Sequence, residues 1–417
     1  MSYLTTITRM WLTRSFKPWT FTNENDNFLD FGELDKLGLY IHIPFCKSIC
    51  SFCPYCKEIY EVEKCNKYIE SLIKEIHLVG SMHVGKKVVT SLYFGGGTPA
   101  LAINSLYKII DAVKEHFIIT EGIGVELHPN DVRIDVLQEL QKIGVTKISI
   151  GIQSFQKKFQ SILGREAVDI QYLKSMLNKF YFETISIDLI FALPSQKYED
   201  LKKDIDDAFN AGANHIAIYP FINFSFLNSN IPVMNNNEKK ILLDRISNYC
   251  LNKGYVRNSI WTFTNNKKAK YSSMTRDNFL GFGCSATTLL RDQFKINTFS
   301  VEEYCNRIDN NILATALTIR FSIRQRMIYY LFWTAYSTVI SKKNFKEFFG
   351  ISLEKMYGIE MKLAKKLGFI IEKNDTYQLS LKGCFYYHYY ENYYTLAYID
   401  KMWGYLRNNP FPKRMVL

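Results

Sequence analysis

The stretch that decides the fold is LGLYIHIPFCKSICSFC, residues 37–53. Its first part, residues 37–43, is a short run of apolar and aromatic side chains that predicts a β-strand. Directly after it, Cys46, Cys50 and Cys53 place three thiols within one short loop. Thiolates are soft ligands that suit zinc or an iron–sulfur cluster. The stretch therefore predicts a strand that leads into a metal-binding loop.

Two kinds of metal centre fit three clustered cysteines. A structural zinc site takes four protein ligands, usually in two separated pairs, and the sequence has no distant second CxxC pair. Cys56 could complete a zinc site, but four ligands in so short a segment would be strained. A cubane cluster held by three cysteines keeps one iron open for a substrate or cofactor, so we favour the cluster. We expect Cys56 to be a free, buried thiol.

Outward from this loop, strand-like and helix-like stretches alternate as far as residue 221. Repeated βα units predict a parallel sheet, and six units predict a partial barrel rather than a closed eight-stranded one. We therefore expect an α/β fold built on a partial (βα)6 barrel. The predicted strands are residues 37–43, 88–94, 122–127, 146–152, 184–191 and 215–219, and the predicted helices are 63–79, 103–117, 132–143 and 198–210, with helical pieces up to 180.

Polar residues stand at the carboxyl ends of these strands, where barrels of this kind carry their chemistry. The sequence GGGTP (95–99) follows the second strand and Glu126 ends the third. Gln153 ends the fourth strand, and Asp188 lies in the fifth. This agreement between periodicity and polar placement predicts one functional edge of the sheet.

The pattern changes beyond the barrel. Residues 223–237 are rich in Asn and predict a loop. After about residue 298 the pattern is helical, with a small hairpin predicted from residues 367–371 and 377–379. We therefore predict three parts, namely an N-terminal extension (1–36), the barrel domain (37–290) and a mostly helical, winged-helix-like C-terminal domain (291–417) associated with the substrate.

Composition narrows the class of protein. Of 417 residues, 47% are hydrophobic and 22% are charged, which is typical of a packed globular chain. No uncharged apolar run reaches the ~18 residues that span a bilayer, and the first residues lack a secretion signal. Clustered cysteines in a long chain favour a reducing compartment. We therefore expect a cytoplasmic protein. The net charge of +12 favours an anionic partner, although without a base-reading motif nucleic acid is not expected.

Several motifs together resemble one known family. The CxxxCxxC loop after a strand resembles the signature of radical S-adenosylmethionine (radical SAM) enzymes. The fuller string YIHIPFC (40–46) is similar to the group of oxygen-independent coproporphyrinogen III oxidase and heme chaperones. The resemblance runs from about residue 37 to 287 and continues through GGGTP (95–99), VELHP (125–129), SIGIQSF (149–155), LGR (163–165), IDLIFALP (187–194) and GFGCSA (281–286), with LSLKG (379–383) near the C-terminus.

This resemblance implies two cofactors and a set of contacts. Cys46, Cys50 and Cys53 would hold a [4Fe-4S] cluster, whose open iron chelates S-adenosylmethionine. One electron from the reduced cluster would then release a 5′-deoxyadenosyl radical. Glycine backbone can approach a charged amino-acid group closely, carboxylates accept from ammonium or hydroxyl groups and an arginine suits a carboxylate. The residues implied to contact the cofactor are Tyr40, Phe52, Gly96, Gly97, Thr98, Glu126, Gln153, Arg165 and Asp188.

The resemblance implies an oxidoreductase of porphyrin biosynthesis that acts on a porphyrinogen-like small molecule. It also implies an electron donor such as flavodoxin or ferredoxin. Two alternatives remain open: another radical SAM reaction such as methyl transfer, and a heme-binding chaperone without oxidase activity. The string RNSIWT (257–262) stands where the chaperones carry a His-Asn-x-x-Tyr-Trp motif, and its lack of that histidine argues against the chaperone.

Overall fold

The structure is a computed structural model that describes residues 3–24, 26–32, 34, 37–227, 229–265 and 277–417. The predicted N-terminal extension therefore lies partly outside the described residues. Its described part forms helix α1 (Tyr3–Thr13) and the short strand β1 (Thr20–Thr22). Strand β1 is not a free arm, because it joins the edge of the central sheet.

The barrel half alternates strands and helices as the sequence predicts. Its strands form because short apolar runs, rich in β-branched residues, are buried on both faces of a parallel sheet. Short 3₁₀ turns at Pro99–Ala102 and Pro129–Asp131 follow two of the strands. The elements are β2 (Gly38–Ile43), β3 (Phe45–Cys46), β4 (Glu58–Ile59), α2 (Val62–Gly80), β5 (Lys87–Val89), β6 (Leu92–Gly96), α3 (Ile103–His116), β7 (Phe117–Ile119), β8 (Ile123–Leu127), α4 (Ile134–Lys142), β9 (Lys147–Gln153), α5 (Lys157–Ile162), α6 (Ile170–Leu177), β10 (Thr184–Phe191), α7 (Tyr198–Asn210) and β11 (His215–Pro220).

Six strands of this half, namely β2, β6, β8, β9, β10 and β11, pair in parallel in that order. The predicted partial (βα)6 barrel is confirmed. One predicted strand, residues 88–94, is divided in two, because β5 pairs with β7 outside the main sheet and only β6 enters it. The strand that enters the central sheet therefore begins and ends later than predicted, at Leu92 and Gly96, while the order of the βα units is unchanged.

The central sheet continues past the barrel at both ends. Strand β14 (Phe279–Phe282) pairs in parallel with β2, and the strands beyond it are antiparallel as far as β1, which pairs with the C-terminal edge strand β21 (Arg414–Val416). These further elements are α8 (Asn236–Asn252), β12 (Val256–Arg257), β13 (Thr262–Thr264), β14 (Phe279–Phe282), β15 (Thr287–Leu290), β16 (Gln293–Asn297), α9 (Val301–Asp309) and β17 (Thr315–Arg320).

The mostly helical pattern predicted after about residue 298 does not include β17. This strand exists because it pairs with β16 on one side and β1 on the other, and such distant pairing leaves little local trace. The predicted boundary after residue 290 falls between β15 and β16, which are neighbours in one sheet. The three-part division remains a prediction.

The C-terminal part builds its own small core. Strands β19 (Ile370–Lys373) and β20 (Thr376–Leu379) form the predicted hairpin, and β18 (Val339–Ser341) completes a three-stranded sheet. With the helices around it, this gives the winged-helix-like arrangement, whose core packs Met327, Tyr330 and Phe345. Its elements are α10 (Ile323–Tyr336), β18 (Val339–Ser341), α11 (Lys342–Phe349), α12 (Leu353–Lys366), β19 (Ile370–Lys373), β20 (Thr376–Leu379), α13 (Leu381–Tyr394), a π-helical turn (Thr395–Ile399), α14 (Asp400–Asn408) and β21 (Arg414–Val416).

The described residues contain no helix long and apolar enough to cross a membrane.

A buried carboxylate ties the barrel to the added strands. Glu75 in α2 accepts hydrogen bonds from the Gly283 amide at 2.7 Å, the Tyr304 hydroxyl at 2.7 Å and the Asn297 side chain at 3.1 Å. Burial raises the pKa of Glu75 to about 7, although the three hydrogen bonds favour the ionised form. This side chain therefore joins α2, the turn after β14, β16 and α9 at one point.

We expect Glu75→Gln to lower the free energy of unfolding by about 1–3 kcal/mol at pH 5, because the amide brings two N–H donors to a site of three donors where the protonated carboxyl brings a single O–H. Because its pKa is raised, Glu75 stays protonated in the folded protein at pH values at which the unfolded side chain is ionised. This group's contribution to wild-type stability therefore falls as pH rises from about 4 to about 7, by about 3 kcal/mol. The loss on substitution should shrink at pH 7.5.

Chemical unfolding at both pH values measures this loss. The exposed Glu70→Gln on the same helix is the control and should change little. An equal loss at pH 5 and pH 7.5 would contradict the raised pKa.

Candidate functional site

The cysteine loop is closed by its own short pair of strands. Strand β3 pairs in parallel with β4, so that Cys46 lies opposite Ile59. The Glu58 amide donates to the Pro44 carbonyl at 2.7 Å, and the Tyr60 amide donates to the Cys46 carbonyl at 2.9 Å. Because both ends of the loop are fixed, the three predicted ligand cysteines are held on one short segment, half-buried and free of disulfides.

The three thiols fit a multi-iron cluster better than a single ion. Their sulfur atoms do not all lie within 4.8 Å of one another, whereas four sulfurs around one tetrahedral zinc with bonds of ~2.3 Å would be about 3.8 Å apart. Thr98 Oγ1 approaches Cys46 Sγ at 3.8 Å, and Arg165 Nε donates to Cys50 Sγ at 3.3 Å. Such donors can hydrogen-bond to the sulfur ligands of an iron–sulfur cluster.

The glycine turn after β6 lies directly against this loop. The Gly97 amide donates to the Ile43 carbonyl at 2.7 Å, and the Thr98 amide donates to the Phe45 carbonyl at 2.8 Å. Gly96 has φ +114°, and a Cβ there would lie 2.6 Å from the His42 ring. A Cβ on Gly97 would lie 2.6 Å from the Phe45 carbonyl oxygen. Only glycine fits both positions, so the turn exposes its backbone to the cavity.

Two half-buried carboxylates face the same cavity. Glu126 accepts from the Gly96 amide at 3.1 Å, and Asp188 accepts from the Ser149 hydroxyl at 2.9 Å. Burial raises the pKa of both groups, and with the added repulsion of Glu126 the pKa of Asp188 reaches about 7. Two carboxylates that burial makes costly to ionise suit a cationic ligand group, which would favour their charged form.

The remaining predicted contacts surround this centre. Tyr40 donates its hydroxyl to His42 Nδ1 at 3.1 Å, and Arg165 lies 5.8 Å from the centre of the Phe52 ring. Gln153 has φ +72° at the end of β9, where the pairing with β10 shifts register. Because of this irregular backbone, Gln153 does not follow the regular side-chain alternation of β9 at the functional edge of the sheet.

All the residues predicted as cluster ligands or cofactor contacts line one cavity of about 2430 Å³. The structure thus brings together side chains from five strands and the loops after them, as the strand-end argument predicts. Their individual roles remain predictions. The residues that share the cavity wall are Tyr40, Cys46, Cys50, Phe52, Cys53, Gly96, Gly97, Thr98, Glu126, Gln153, Arg165 and Asp188.

Sequence reasoning gave His42 no function. His42 Nε2 donates to the Cys56 carbonyl at 2.9 Å, and this bond leaves Nδ1 to accept from Tyr40. The ring therefore connects the cysteine loop to the cavity wall. Cys56 is the buried, free thiol that was expected, with its sulfur 3.1 Å from the Phe299 carbonyl oxygen and 3.7 Å from the sulfur of Cys284.

Arg407 is a second residue that sequence reasoning did not find. It lies in α14, near the C-terminus, and donates to the Pro54 carbonyl in the cysteine loop. Its guanidinium also lies 5.2 Å from the centre of the Phe299 ring. No local motif marks it, because the contact joins segments more than 350 positions apart in the chain.

Comparison with known proteins agrees with this geometry. Residues 40–208 match the model of the radical SAM superfamily. The heme chaperone HemW of Lactococcus lactis is 35% identical over 188 residues, 44% of this chain and 48% of that protein. The oxygen-independent coproporphyrinogen III oxidase of Escherichia coli is 30% identical over 193 residues, 44% of this chain and 42% of that protein. This chain thus spans less than half the length of either relative.

One solved structure shares most of the fold. The structure of coproporphyrinogen III oxidase (HemN) from Escherichia coli, a radical SAM enzyme, gives a TM-score of 0.71 at 21% identity. It covers 85% of this chain and 88% of that one. At this identity the likeness supports the fold of both the barrel and the C-terminal part.

Residues 40–208, with the cysteine loop, are thus similar to a radical SAM domain, and the fold agrees with that similarity. The chain's relatives bear the names of the oxidase and the heme chaperone, so the resemblance read from the motifs is confirmed. The predicted cofactors, a [4Fe-4S] cluster and S-adenosylmethionine, are those that the radical SAM superfamily uses.

We expect Gly96→Ala to lower the free energy of unfolding by about 2–4 kcal/mol, because its Cβ would meet the His42 ring at an unfavourable φ. Gly144→Ala is the matched control, since Gly144 has φ +86° but open space around the new Cβ. It should cost about 1–2 kcal/mol. Chemical unfolding of both variants separates the clash from the backbone strain, and equal losses would contradict the close approach.

Proposed function

We propose that this protein is a radical SAM oxidoreductase that acts on a porphyrinogen-like polycarboxylate, by oxidative decarboxylation. The observation that carries the proposal is the convergence of the cysteine loop, the glycine turn and two acidic side chains on one cavity. When bound, the reduced cluster supplies the electron that releases a 5′-deoxyadenosyl radical from S-adenosylmethionine. An electron donor such as flavodoxin or ferredoxin would reduce it.

The chain's own residues would bind the cluster and S-adenosylmethionine. Cys46, Cys50 and Cys53 would hold the cluster. Backbone at the glycine turn would accommodate the amino-acid part of S-adenosylmethionine, with Glu126 as an acceptor for its ammonium group. Arg165, which also donates to the Gly151 carbonyl at 3.1 Å, would pair with a carboxylate. Asp188 would accept from ribose hydroxyls.

The cavity has the size and chemistry for a large anionic substrate. At about 2430 Å³ it exceeds the ~300–1,000 Å³ of ordinary ligand pockets. On the side formed by the C-terminal half, Phe294, Phe321 and Tyr329 form an aromatic wall with ring centres about 6 Å apart. Flat aromatic surface suits a tetrapyrrole, and the names of the relatives point to the same substrate class.

A buried arginine in this wall suits a substrate carboxylate. The side chain of Arg326 lines the cavity, and burial lowers its pKa to about 10, so it stays charged near neutral pH. Two of its nitrogens donate to backbone carbonyls of Arg291 and Asp277. The third, Nη1, is buried and has no partner among the described residues. A bound carboxylate would satisfy it.

Heme carriage is the second candidate, and one observation favours it. His388 lines the cavity, and burial lowers its pKa to about 3, so its imidazole is neutral. Its Nδ1 atom is buried without a partner in the described part of the chain. A neutral imidazole of this kind could ligate heme iron. The centre of the His388 ring lies 4.4 Å from that of the Trp261 ring. Trp261 belongs to the string RNSIWT (257–262), which departs from the chaperone motif.

An anaerobic assay with S-adenosylmethionine, a chemical reductant and coproporphyrinogen III tests the proposal. We expect 5′-deoxyadenosine together with carbon dioxide and a decarboxylated porphyrinogen. If a methyl group labelled in S-adenosylmethionine appears in the product instead, the reaction is methyl transfer and not decarboxylation. Tight heme binding that survives Cys46→Ser, without turnover of the porphyrinogen, would establish the carrier instead.

The cluster assignment has its own test. We expect Cys46→Ser, Cys50→Ser and Cys53→Ser each to lose most of the iron and sulfide found in anaerobically prepared protein. Cys56→Ser should keep them, because that thiol bonds to the Phe299 carbonyl. Iron and sulfide analysis with the visible absorption spectrum measures the effect. Zinc in place of iron, or cluster loss in Cys56→Ser alone, would contradict the assignment.

A further inference from the structure

Three ligand-type side chains meet at the far end of the barrel from the cysteine loop. Helices α2 and α3 follow neighbouring parallel strands and run back along them, so both end at the opposite edge. His77 lies in the last turn of α2 and His116 in the last turn of α3. His77 Nδ1 is 3.1 Å from His116 Nε2 and 3.7 Å from a carboxylate oxygen of Glu115.

We propose that His77, His116 and Glu115 form a binding site for a divalent transition-metal ion of the zinc class. Two imidazoles and one carboxylate are donors that zinc accepts readily, and three protein ligands leave a further position for water. The ion would clamp the ends of α2 and α3 together. This site is separate from the cluster and rests on none of the residues assigned to the proposed function.

The distances suit one ion. With metal bonds of ~2.0–2.1 Å, two ligands of a tetrahedral site lie about 3.3 Å apart. The separations from His77 Nδ1, 3.1 and 3.7 Å, bracket that value, and all three ligand atoms lie within 4.8 Å of one another. Without metal, the same two nitrogens share a hydrogen bond. Binding needs only that each ring carry its proton on the nitrogen that faces away.

The His116 ring packs into the space left by the missing side chain of Gly80. It covers Gly80 at the end of α2, where a Cβ would lie 2.2 Å from its Cγ atom. Any larger residue at position 80 would displace the ring. The ring therefore has one packed position beside His77.

His83 provides a matched control at the same corner. It packs between Phe31 and Phe117, and its Nδ1 lies 2.9 Å from the Gly85 carbonyl oxygen. Its ring does not belong to the compact ligand group of His77, Glu115 and His116. Substitution of His83 therefore removes a nearby imidazole without removing a ligand.

The test is anaerobic calorimetric titration of the cluster-loaded protein with zinc chloride. We expect one zinc per chain outside the cluster, with affinity lowered about tenfold or more by His77→Ala or His116→Ala, since even outer-shell partners are worth ~10–100-fold. Glu115→Gln should weaken binding less, and His83→Gln should leave it unchanged. Iron content measured before and after titration shows that the cluster stays in place.

Thermal unfolding gives a second measurement. Saturating zinc should raise the unfolding temperature of wild type and His83→Gln, and this increase should be lost in His77→Ala and His116→Ala. Zinc affinity unchanged in both alanine variants, or zinc bound only as iron is lost, would overturn the site. Neither result depends on turnover, so failure here leaves the proposed function intact.

Discussion

The pairing of β2 with β6 is the constraint on which the site depends. It sets His42 opposite Gly95 and Ile43 opposite Gly96, so the two strands end side by side. The chain after β2 becomes the cysteine loop, and the chain after β6 becomes the glycine turn. Because Gly97 and Thr98 donate to the backbone at Ile43 and Phe45, each segment fixes the other.

This close approach explains why the turn must be glycine. Side chains at positions 96 and 97 would meet the His42 ring and the Phe45 carbonyl oxygen. The same geometry turns a backbone amide toward Glu126 and orients Tyr40 through His42. A single strand pairing thus positions the cysteine loop, the glycine turn and Tyr40, and nearby strands need only supply residues at their ends.

Much of the barrel could be predicted because its signals are local. Predicted strand 184–191 and helix 198–210 coincide with β10 and α7, since apolar runs and amphipathic periods need no distant partner. The strand β17 could not be predicted in this way, because it owes its place to β16 and β1. Candidate site residues could be found for the same reason as the barrel: they stand at strand ends within short motifs. Arg407 could not, because only the folded chain brings α14 to the cysteine loop.

The choice between oxidase and carrier lies in the part of the cavity that local motifs do not describe. The strand ends of β2, β6 and β8 do not distinguish the two candidates, because both would share the cysteine loop and the glycine turn. The C-terminal half adds Arg326, with one buried nitrogen unpaired among the described residues, and His388, with a neutral imidazole. Arg326 would suit a substrate carboxylate, and His388 would suit the iron of a heme. Because a porphyrinogen has carboxylates but no iron, an oxidase would use Arg326 without His388, whereas a carrier of heme would use both.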